Sequence, residues 1–139
     1  MKKTIIGLLF FTLLISCGNS ISDNDLAKLN GYWEIEKATL PDGTVNEYSI
    51  NPTIDFFELK DTVGIRKKVM PQLDGTYLVN NTSEKISISK TKNKVYINYT
   101  TEYAKWEEEI IELGDKKLIL KNSHDIEYQY KKPELFTVK

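Results

Sequence analysis

The sequence predicts an all-β protein: an up-and-down antiparallel β-barrel of eight or nine strands, preceded by a short N-terminal helical turn. Most of the chain consists of short runs rich in β-branched and aromatic residues, with turn residues between them at intervals of about ten residues. Helix signals nearly vanish after Leu29. The length of 139 residues is typical of one domain. Because an open meander leaves two exposed edges, we expect about eight strands to close into a barrel.

The first half of the domain is predicted to begin with one helical turn and to continue as strands joined by tight turns. Asp25 to Leu29 forms the helical turn, with Asn24 or Asp25 as its N-cap. Pro fixes one turn dihedral, Gly supplies positive φ and Asn tolerates left-handed geometry, so these residue types mark turns. On this basis we expect strands at residues 32–40, 53–60, 65–70 and 76–79, with turns at Pro41-Asp42-Gly43, Asp61 to Gly64, Pro71 to Gly75 and Asn80-Asn81.

The second half shows the alternation that is typical of a sheet with one face in the core. Ile86 and Ile88 alternate with serines in the segment 85–90, and residues 95–99 alternate likewise. The segment 106–113 contains three consecutive glutamates that favour a helix, whereas the following Gly114-Asp115 favours a hairpin. We predict a strand, because an isolated helix of about eight residues is marginal. Further strands are expected at residues 118–120 and 126–130.

The first 16 residues have the proportions of a secretory signal peptide. Lys2 and Lys3 form a short cationic region, and residues 5–15 form an apolar stretch of eleven residues. A membrane-spanning helix needs about 20 apolar residues, so this stretch is too short to span a bilayer. We therefore predict that residues 1–16 are removed from the mature protein.

The signal peptide ends in a motif that contains the only cysteine of the sequence. Leu14-Ile15-Ser16-Cys17 closely resembles the lipobox of bacterial lipoproteins, in which the cysteine becomes the lipidated first residue. The resemblance implies acyl chains on Cys17 that anchor the protein to a lipid bilayer without spanning it. It also implies a place in the bacterial cell envelope, most consistent with the outer membrane at its periplasmic or surface face, because Gly18 is not Asp. Residues 17–24 are then the lipidated cysteine and a flexible tether.

The start of the first predicted strand carries a short signature. Gly31-Tyr32-Trp33 resembles the Gly-x-Trp signature that opens the first strand of lipocalins and of the lipocalin-like lipoproteins of bacteria. The resemblance covers residues 25–132 and leaves residues 133–139 as a C-terminal tail. It implies that Gly31 permits close backbone approach and that Trp33 plugs the closed end of the barrel.

The resemblance includes one departure. In many lipocalins an arginine on the last strand stacks over the first-strand tryptophan, whereas the only arginine here is Arg66, far from the end of the chain. Lys131 or Lys132 could partly take this role by placing a cation over the indole, although lysine does not stack as arginine does. This favours the looser lipocalin-like group over the classical lipocalins.

The residues that commonly perform catalysis or hold metals are scarce. The single histidine, His124, lies in the predicted turn Asn122 to Asp125, and no Gly-x-Ser-x-Gly elbow, phosphate loop or EF-hand pattern is present. The acidic cluster is expected to be solvated, since on a strand Glu108 and Glu112 would share the face of Trp106 while Glu107 and Glu109 point away. We therefore predict no catalytic residue, no metal and no cofactor. Without its signal peptide the chain is mildly acidic, so nucleic acid is not an expected partner.

Two functions remain open at this point. The first is the binding of a small hydrophobic ligand inside the barrel. Its expected lining residues, provided that strand alternation turns them inward, are Trp33, Phe56, Tyr99, Tyr128 and Tyr130, together with Ile86, Val95 and Ile97. The second is a filled barrel that serves as a protein-interaction or inhibitory module at the cell envelope. An apolar internal cavity of about 300 Å³ or more would favour the ligand, and a packed interior would favour the module.

Overall fold

A computed structural model describes residues 20–134. The predicted signal peptide, the lipobox with Cys17 and residues 135–139 of the predicted tail lie outside the described residues. Within residues 20–134, no helix is long and apolar enough to cross a membrane. A short 3₁₀ helix precedes nine strands: helix Asp25–Leu29, β1 Gly31–Thr39, β2 Val45–Glu47, β3 Ile54–Lys60, β4 Val63–Pro71, β5 Tyr77–Thr91, β6 Lys94–Thr100, β7 Lys105–Leu113, β8 Lys117–Lys121 and β9 Glu127–Lys131.

Eight of the strands form a closed antiparallel barrel. β1 and β3 to β9 pair in chain order, and β9 returns to pair with β1. Along one edge, β1 pairs with two strands: residues 31–33 pair with β3, and residues 37–39 pair with the extra strand β2. The predicted all-β barrel with a short N-terminal helical turn is therefore confirmed.

The two ends of the barrel differ. The 3₁₀ helix covers one end, which we call the closed end, and buries Leu26 and Leu29 there. The side chain of Asn30 fixes this arrangement, because it donates to the Leu59 carbonyl at 3.3 Å and accepts from the Leu59 N–H at 2.6 Å. The connections 61–62, 92–93 and 114–116 lie at the closed end, and the connections 40–44, 72–76, 101–104 and 122–126 lie at the opposite, open end.

The lower part of the barrel is packed with apolar side chains. Strand alternation turns Trp33, Phe57, Ile97 and Leu118 inward, and the 3₁₀ helix adds Leu29; each of these side chains is exposed by 1% or less. The indole of Trp33 donates to the Leu29 carbonyl at 2.8 Å, so its polar atom is satisfied within the core. The core therefore joins the 3₁₀ helix to the barrel wall as one cluster.

The segment around the glutamates is a strand, as predicted, but its faces differ from the expectation. A bulge between Ile110 and Glu112 shifts the register against β8, so Glu112 points outward into solvent. Glu108 keeps the inward position and is buried at 7% exposure. The expectation that Glu108 and Glu112 share one face, in a solvated cluster, is therefore wrong.

The turn predicted at Asn80-Asn81 is also wrong, because β5 runs without interruption through this dipeptide. Lys67 pairs with Ser83 while Val69 pairs with Val79, so residues 80–82 form a bulge opposite Lys68 alone. Asn80 Oδ1 accepts the Thr82 N–H at 3.2 Å. The Asn side chain supports a bulge within the strand and not a reversal of the chain.

Candidate functional site

A layer of charged side chains lies inside the barrel, above the apolar core. Its members lie on the inward face of β3, β4, β5 and β7, and they are Asp55, Arg66, Lys68, Glu84 and Glu108; we call them the polar layer. The Lys68 side chain is 55% exposed, so it lies at the edge of the layer. Arg66 lies at its centre, with Nε 2.5 Å from Glu84 Oε2 and Nη1 3.7 Å from Glu108 Oε1. The layer therefore holds its own counter-charges.

Aromatic rings continue from Arg66 toward the open end. The Arg66 guanidinium carbon lies 4.2 Å from the centroid of the Tyr99 ring. The Tyr99 and Trp106 rings are stacked with centroids 5.2 Å apart and an interplanar angle of 13°. Tyr99 is buried, whereas Trp106 is 36% exposed. Arg66, Tyr99 and Trp106 therefore form a continuous stack from the interior to the rim of the barrel.

Burial changes the titration of the groups in this layer. Burial raises the pKa of Glu108 above its usual value, and this outweighs the opposing effect of the Arg66 charge. Burial alone would lower the pKa of Arg66. Its hydrogen bond to Glu84 and the neighbouring negative charges outweigh this effect and raise the pKa above its usual value. Burial also raises the pKa of Tyr99 and Tyr130, so both phenols stay neutral across the physiological range.

Asp55 and Lys68 form a second ion pair of the polar layer. Asp55 is only 2% exposed, and its Oδ1 contacts the Lys68 ammonium, although this oxygen accepts no hydrogen bond of good geometry. A cleft of about 60 Å³ opens beside the pair, where β1 separates from β3 after Trp33. Its walls come from Trp33, Ile35, Thr53, Ile54 and Tyr130 in addition to the two charged residues. The space that reaches this layer is small and polar.

The structure places four of the five predicted lining residues inside the barrel. Trp33, Tyr99 and Tyr130 are buried and Tyr128 is partly buried. Phe56 is different, because its register opposite Tyr32 turns it to the outer face, where its ring lies 4.9 Å from that of Tyr32. Phe56 therefore lies on the outer face, and the expectation that it lines the interior is wrong. Ligand binding by the other four residues stays a prediction.

The members of the polar layer were not anticipated from the sequence. Arg66, Lys67 and Lys68 are consecutive, so they resemble an exposed basic cluster. The sequence signal for these positions is the alternation with a period of two. Asp55, Phe57 and Leu59 share the inward face of β3, and Arg66 and Lys68 share that face because they pair with Phe57 and Asp55. Only the pairing register distinguishes the inward charges from Lys67.

A lysine cation lies over Trp33 at the closed end, and of the two candidates Lys131 and Lys132 it is Lys132. Lys132 Nζ lies 3.8 Å from the centroid of the Trp33 ring and 3.4 Å from the carbonyl oxygen of Asn30. Gly31 adopts φ +109°, and a Cβ there would lie 3.5 Å from the same ammonium. The left-handed glycine, the plugging tryptophan and the cation over it thus form one unit.

Comparison with known proteins identifies the family of this chain. A family model described as a lipocalin-like domain matches residues 29–120. The chain belongs to the lipocalin-like domain family. No curated protein matches the sequence.

Two solved structures are similar to this lipocalin-like domain. One is the crystal structure of a lipocalin-like protein from Bacteroides uniformis, with 14% identity and a TM-score of 0.49 over 76% of this chain and 99% of that one. The other is an uncharacterised protein from Bacteroides eggerthii, with 14% identity, a TM-score of 0.48 and the same two coverages.

The chemical inventory of the lipocalin-like domain is limited. His124 is exposed in the turn after β8, where its N–H donates to Asn122 Oδ1 at 2.9 Å. Over residues 20–134, no three His, Cys, Asp or Glu side chains are grouped so that they could hold a metal ion. The buried carboxylates are neutralised by Arg66 and Lys68. The arrangement can hold charges in place, but it presents no activated nucleophile.

Large hydrophobic side chains are exposed at the open end of the barrel, on both faces of the β4–β5 hairpin and on the segment after β1. Most of the large hydrophobic side chains that are exposed in the described part of the chain lie on the segment 45–50 and on the β4–β5 hairpin; we call them the distal apolar surface, and they are Val45, Tyr48, Ile50, Met70, Leu73, Leu78 and Val79. Ile50 is 88% exposed and Leu73 is 83% exposed. Exposed apolar patches of this kind mark interaction sites more often than chance exposure.

Proposed function

We propose that this lipocalin-like domain is a lipid-anchored, non-catalytic protein of the bacterial cell envelope that acts as a protein-interaction or inhibitory module. The observation that carries the proposal is the filled interior of the barrel. Its contact region is the distal apolar surface. The competing hypothesis is that the barrel carries a small hydrophobic ligand.

The interior offers little support for a hydrophobic cargo. Ligand pockets usually enclose about 300 to 1,000 Å³ and are mostly apolar. The cleft beside Asp55 and Lys68 measures about 60 Å³ and has charged walls. A hydrophobic ligand in the middle of the barrel would have to displace the ion pairs of Arg66 and leave buried charges without partners, which is costly.

The position of the distal apolar surface supports a protein partner. The tether leads to the closed end, where Asp23 Oδ1 lies 2.6 Å from Lys90 Nζ. If Cys17 carries the anchor, the closed end faces the bilayer and the open end faces away from it. The exposed side chains at the open end are then available to another protein and not to the anchoring membrane.

The proposal can be tested by site-specific photo-crosslinking in the cells that produce the protein. A photo-reactive amino acid at Leu73 samples the distal apolar surface, and one at Lys92 samples an exposed position at the closed end. We expect a discrete protein adduct from position 73 and none of that mass from position 92. Equal adducts at both positions, or none at 73, would contradict the interaction module.

Native mass spectrometry of the protein extracted from its own membranes addresses the competing hypothesis. We expect the mass of the acylated mature chain without a further small molecule. A stoichiometric additional small-molecule mass that survives purification would overturn the filled-barrel proposal and restore the ligand hypothesis.

A further inference from the structure

Three lysines are grouped at the closed end, on the hairpin that joins β5 to β6. Lys92 and Asn93 form its two-residue loop, and both adopt a positive φ, as the tightest hairpin loops require. Thr91 therefore pairs directly with Lys94, and Lys90 lies one residue before this pair. The tight loop thus places Lys90, Lys92 and Lys94 at one tip of the barrel.

A groove of about 280 Å³ lies between this hairpin and the start of the described chain. Residues 90–95 of the hairpin line one side of the groove, and Ser20 and Ile21 line the other; we call it the basic groove. Ile21 is partly buried against the core, which fixes the chain beside the groove. The basic groove therefore lies where the tether reaches the barrel.

The lysine charges of the basic groove are only partly neutralised. Lys90 Nζ lies 2.6 Å from Asp23 Oδ1, whereas Lys94 Nζ lies 3.9 Å from Glu109 Oε1, which is too long for a hydrogen bond. Lys92 is exposed and makes no ion pair with any other residue of the segment 20–134. The side chains of Lys90 and Lys94 are 44% and 54% exposed. An anion from solution or from a surface can therefore reach all three ammonium groups.

The two ends of the barrel carry opposite charge. We compare the connections at each end together with the residue on either side of each connection. The closed end then carries five lysines and two aspartates: Lys60, Lys92, Lys94, Lys116 and Lys117 against Asp61 and Asp115. The open end carries five carboxylates and two lysines: Asp42, Asp74, Glu102, Asp125 and Glu127 against Lys105 and Lys121. An anionic surface therefore attracts the closed end, although the whole chain is slightly acidic.

We propose that the basic groove binds the phosphate groups of anionic phospholipid headgroups in the bilayer to which the domain is anchored. Lys92 and Lys94 supply the charge, since Asp23 already neutralises Lys90. Attraction of a lysine to an anionic membrane falls off within a Debye length, so only the end of the barrel beside the bilayer takes part. At physiological ionic strength the contact adds to the acyl anchor and does not replace it.

This inference rests on the proposed anchoring, because the anchor brings the closed end to the bilayer. Binding to vesicles is therefore measured without an acyl group, on the chain from residue 17 onward with Cys17→Ser. That chain contains all nine strands and the closed barrel. One set of vesicles consists of phosphatidylcholine, and the other is an equal mixture of phosphatidylcholine and phosphatidylglycerol. At an ionic strength where the Debye length is about 30 Å, we expect flotation with the mixed vesicles and not with phosphatidylcholine alone.

Substitutions at exposed lysines locate the contact. Lys92→Gln should weaken binding to the mixed vesicles about fivefold, which is the loss expected for one lysine at an anionic surface. Lys92→Arg keeps the charge and should keep the binding. Lys105→Gln is the matched control, because it removes the same charge from an exposed position at the open end. The control should bind as the parent chain does.

Three results would overturn the proposal. The first is the absence of binding to the mixed vesicles. The second is equal binding to both kinds of vesicle, which would assign the contact to apolar side chains. The third is an equal loss in Lys92→Gln and Lys105→Gln, which would assign it to the overall charge of the chain. Fatty-acid labelling of the parent protein tests the anchor separately, so failure of the anchoring proposal leaves these results unchanged.

Discussion

Lys132 places a cation over the buried tryptophan at the closed end. Its ammonium lies 3.8 Å from the centroid of the buried Trp33 ring, and burial lowers its pKa. A cation over a tryptophan contributes about 0.5 to 1 kcal/mol at a partly exposed site. We therefore expect Lys132→Ala to lower the free energy of unfolding by about that amount, measured by urea denaturation.

Two matched variants show whether the ring contact is responsible. Lys131→Ala removes a neighbouring lysine whose position faces Glu34 on the outer surface, and it should change stability by less than Lys132→Ala. Lys132→Arg should keep or raise the stability, because a guanidinium stacks on an indole better than an ammonium does. If Lys131→Ala and Lys132→Ala lower the free energy of unfolding equally, the contact of Lys132 with Trp33 does not stabilise the fold as proposed.

Glu108 predicts a pH dependence with a definite sign. Burial raises its pKa in the folded protein above the value in the unfolded chain, so its contribution to stability is present at low pH and is lost as pH rises through the folded-state pKa. Glu108→Gln removes this titration. The stability of the variant relative to the parent should therefore increase as the pH is raised from below the usual carboxyl range toward neutrality.

Urea denaturation of both proteins over a pH series measures this difference. Glu107→Gln serves as the control, because Glu107 is exposed on the outer face of the same strand. The control should show no comparable rise with pH. A parent protein that becomes more stable relative to Glu108→Gln with rising pH would mean that the Arg66 charge outweighs burial at this site.

At the scale of elements, the β3–β4 hairpin depends on the small size of Gly64. A Cβ at this position would overlap the backbone carbonyl of Glu58, which the chain cannot move without disturbing the pairing of Leu59 with Gly64. We expect Gly64→Ala to destabilise the protein by about 3 kcal/mol, at the upper end for overpacking. Gly114→Ala is the matched control, since a Cβ there would meet its nearest atom at an ordinary 3.7 Å. A loss of stability for Gly64→Ala no larger than for Gly114→Ala, measured by urea denaturation, would contradict this account.

The predictability of each strand followed the strength of its local pattern. β7 was predicted because the Gly114-Asp115 turn marks a hairpin even though consecutive glutamates favour a helix. β2 was missed, since all three of its side chains are exposed and it therefore has no alternation to detect. The turn predicted at Asn80-Asn81 was wrong because an Asn side chain makes the same kind of hydrogen bond to the backbone in a bulge as in a turn. Local chemistry thus indicated where the backbone departs from a regular strand, but not whether the chain reverses there.

At the scale of the whole molecule, closure of the barrel was predictable and the polar layer was not. Closure follows from eight neighbouring strands that would otherwise leave edges exposed. The inward position of Arg66 depends on its pairing with Phe57 on one side and Glu84 on the other, and these partners are distant in sequence. Lys131 and Lys132 were both candidates for the Trp33 contact because the resemblance to lipocalins places a cation from the last strand over that ring, and the structure selects Lys132. Closure and this contact could thus be expected from the sequence, whereas contacts that depend on the strand register could not.

If Cys17 is acylated, it sets the orientation of the whole molecule at the bilayer. Because Ile21 packs against the core, the chain from residue 17 to residue 21 spans at most about 14 Å when extended, so an acylated Cys17 would hold the closed end near the bilayer and the distal apolar surface away from it. We expect Cys17→Ser to abolish acylation and to move the protein from the membrane fraction to the soluble fraction, as measured by fatty-acid labelling and fractionation. Asp23→Ala, which alters the same tether but keeps Cys17, should remain acylated and membrane-bound. If Cys17→Ser stays with the membrane, the lipobox interpretation fails, and the distal apolar surface itself becomes the candidate for membrane contact.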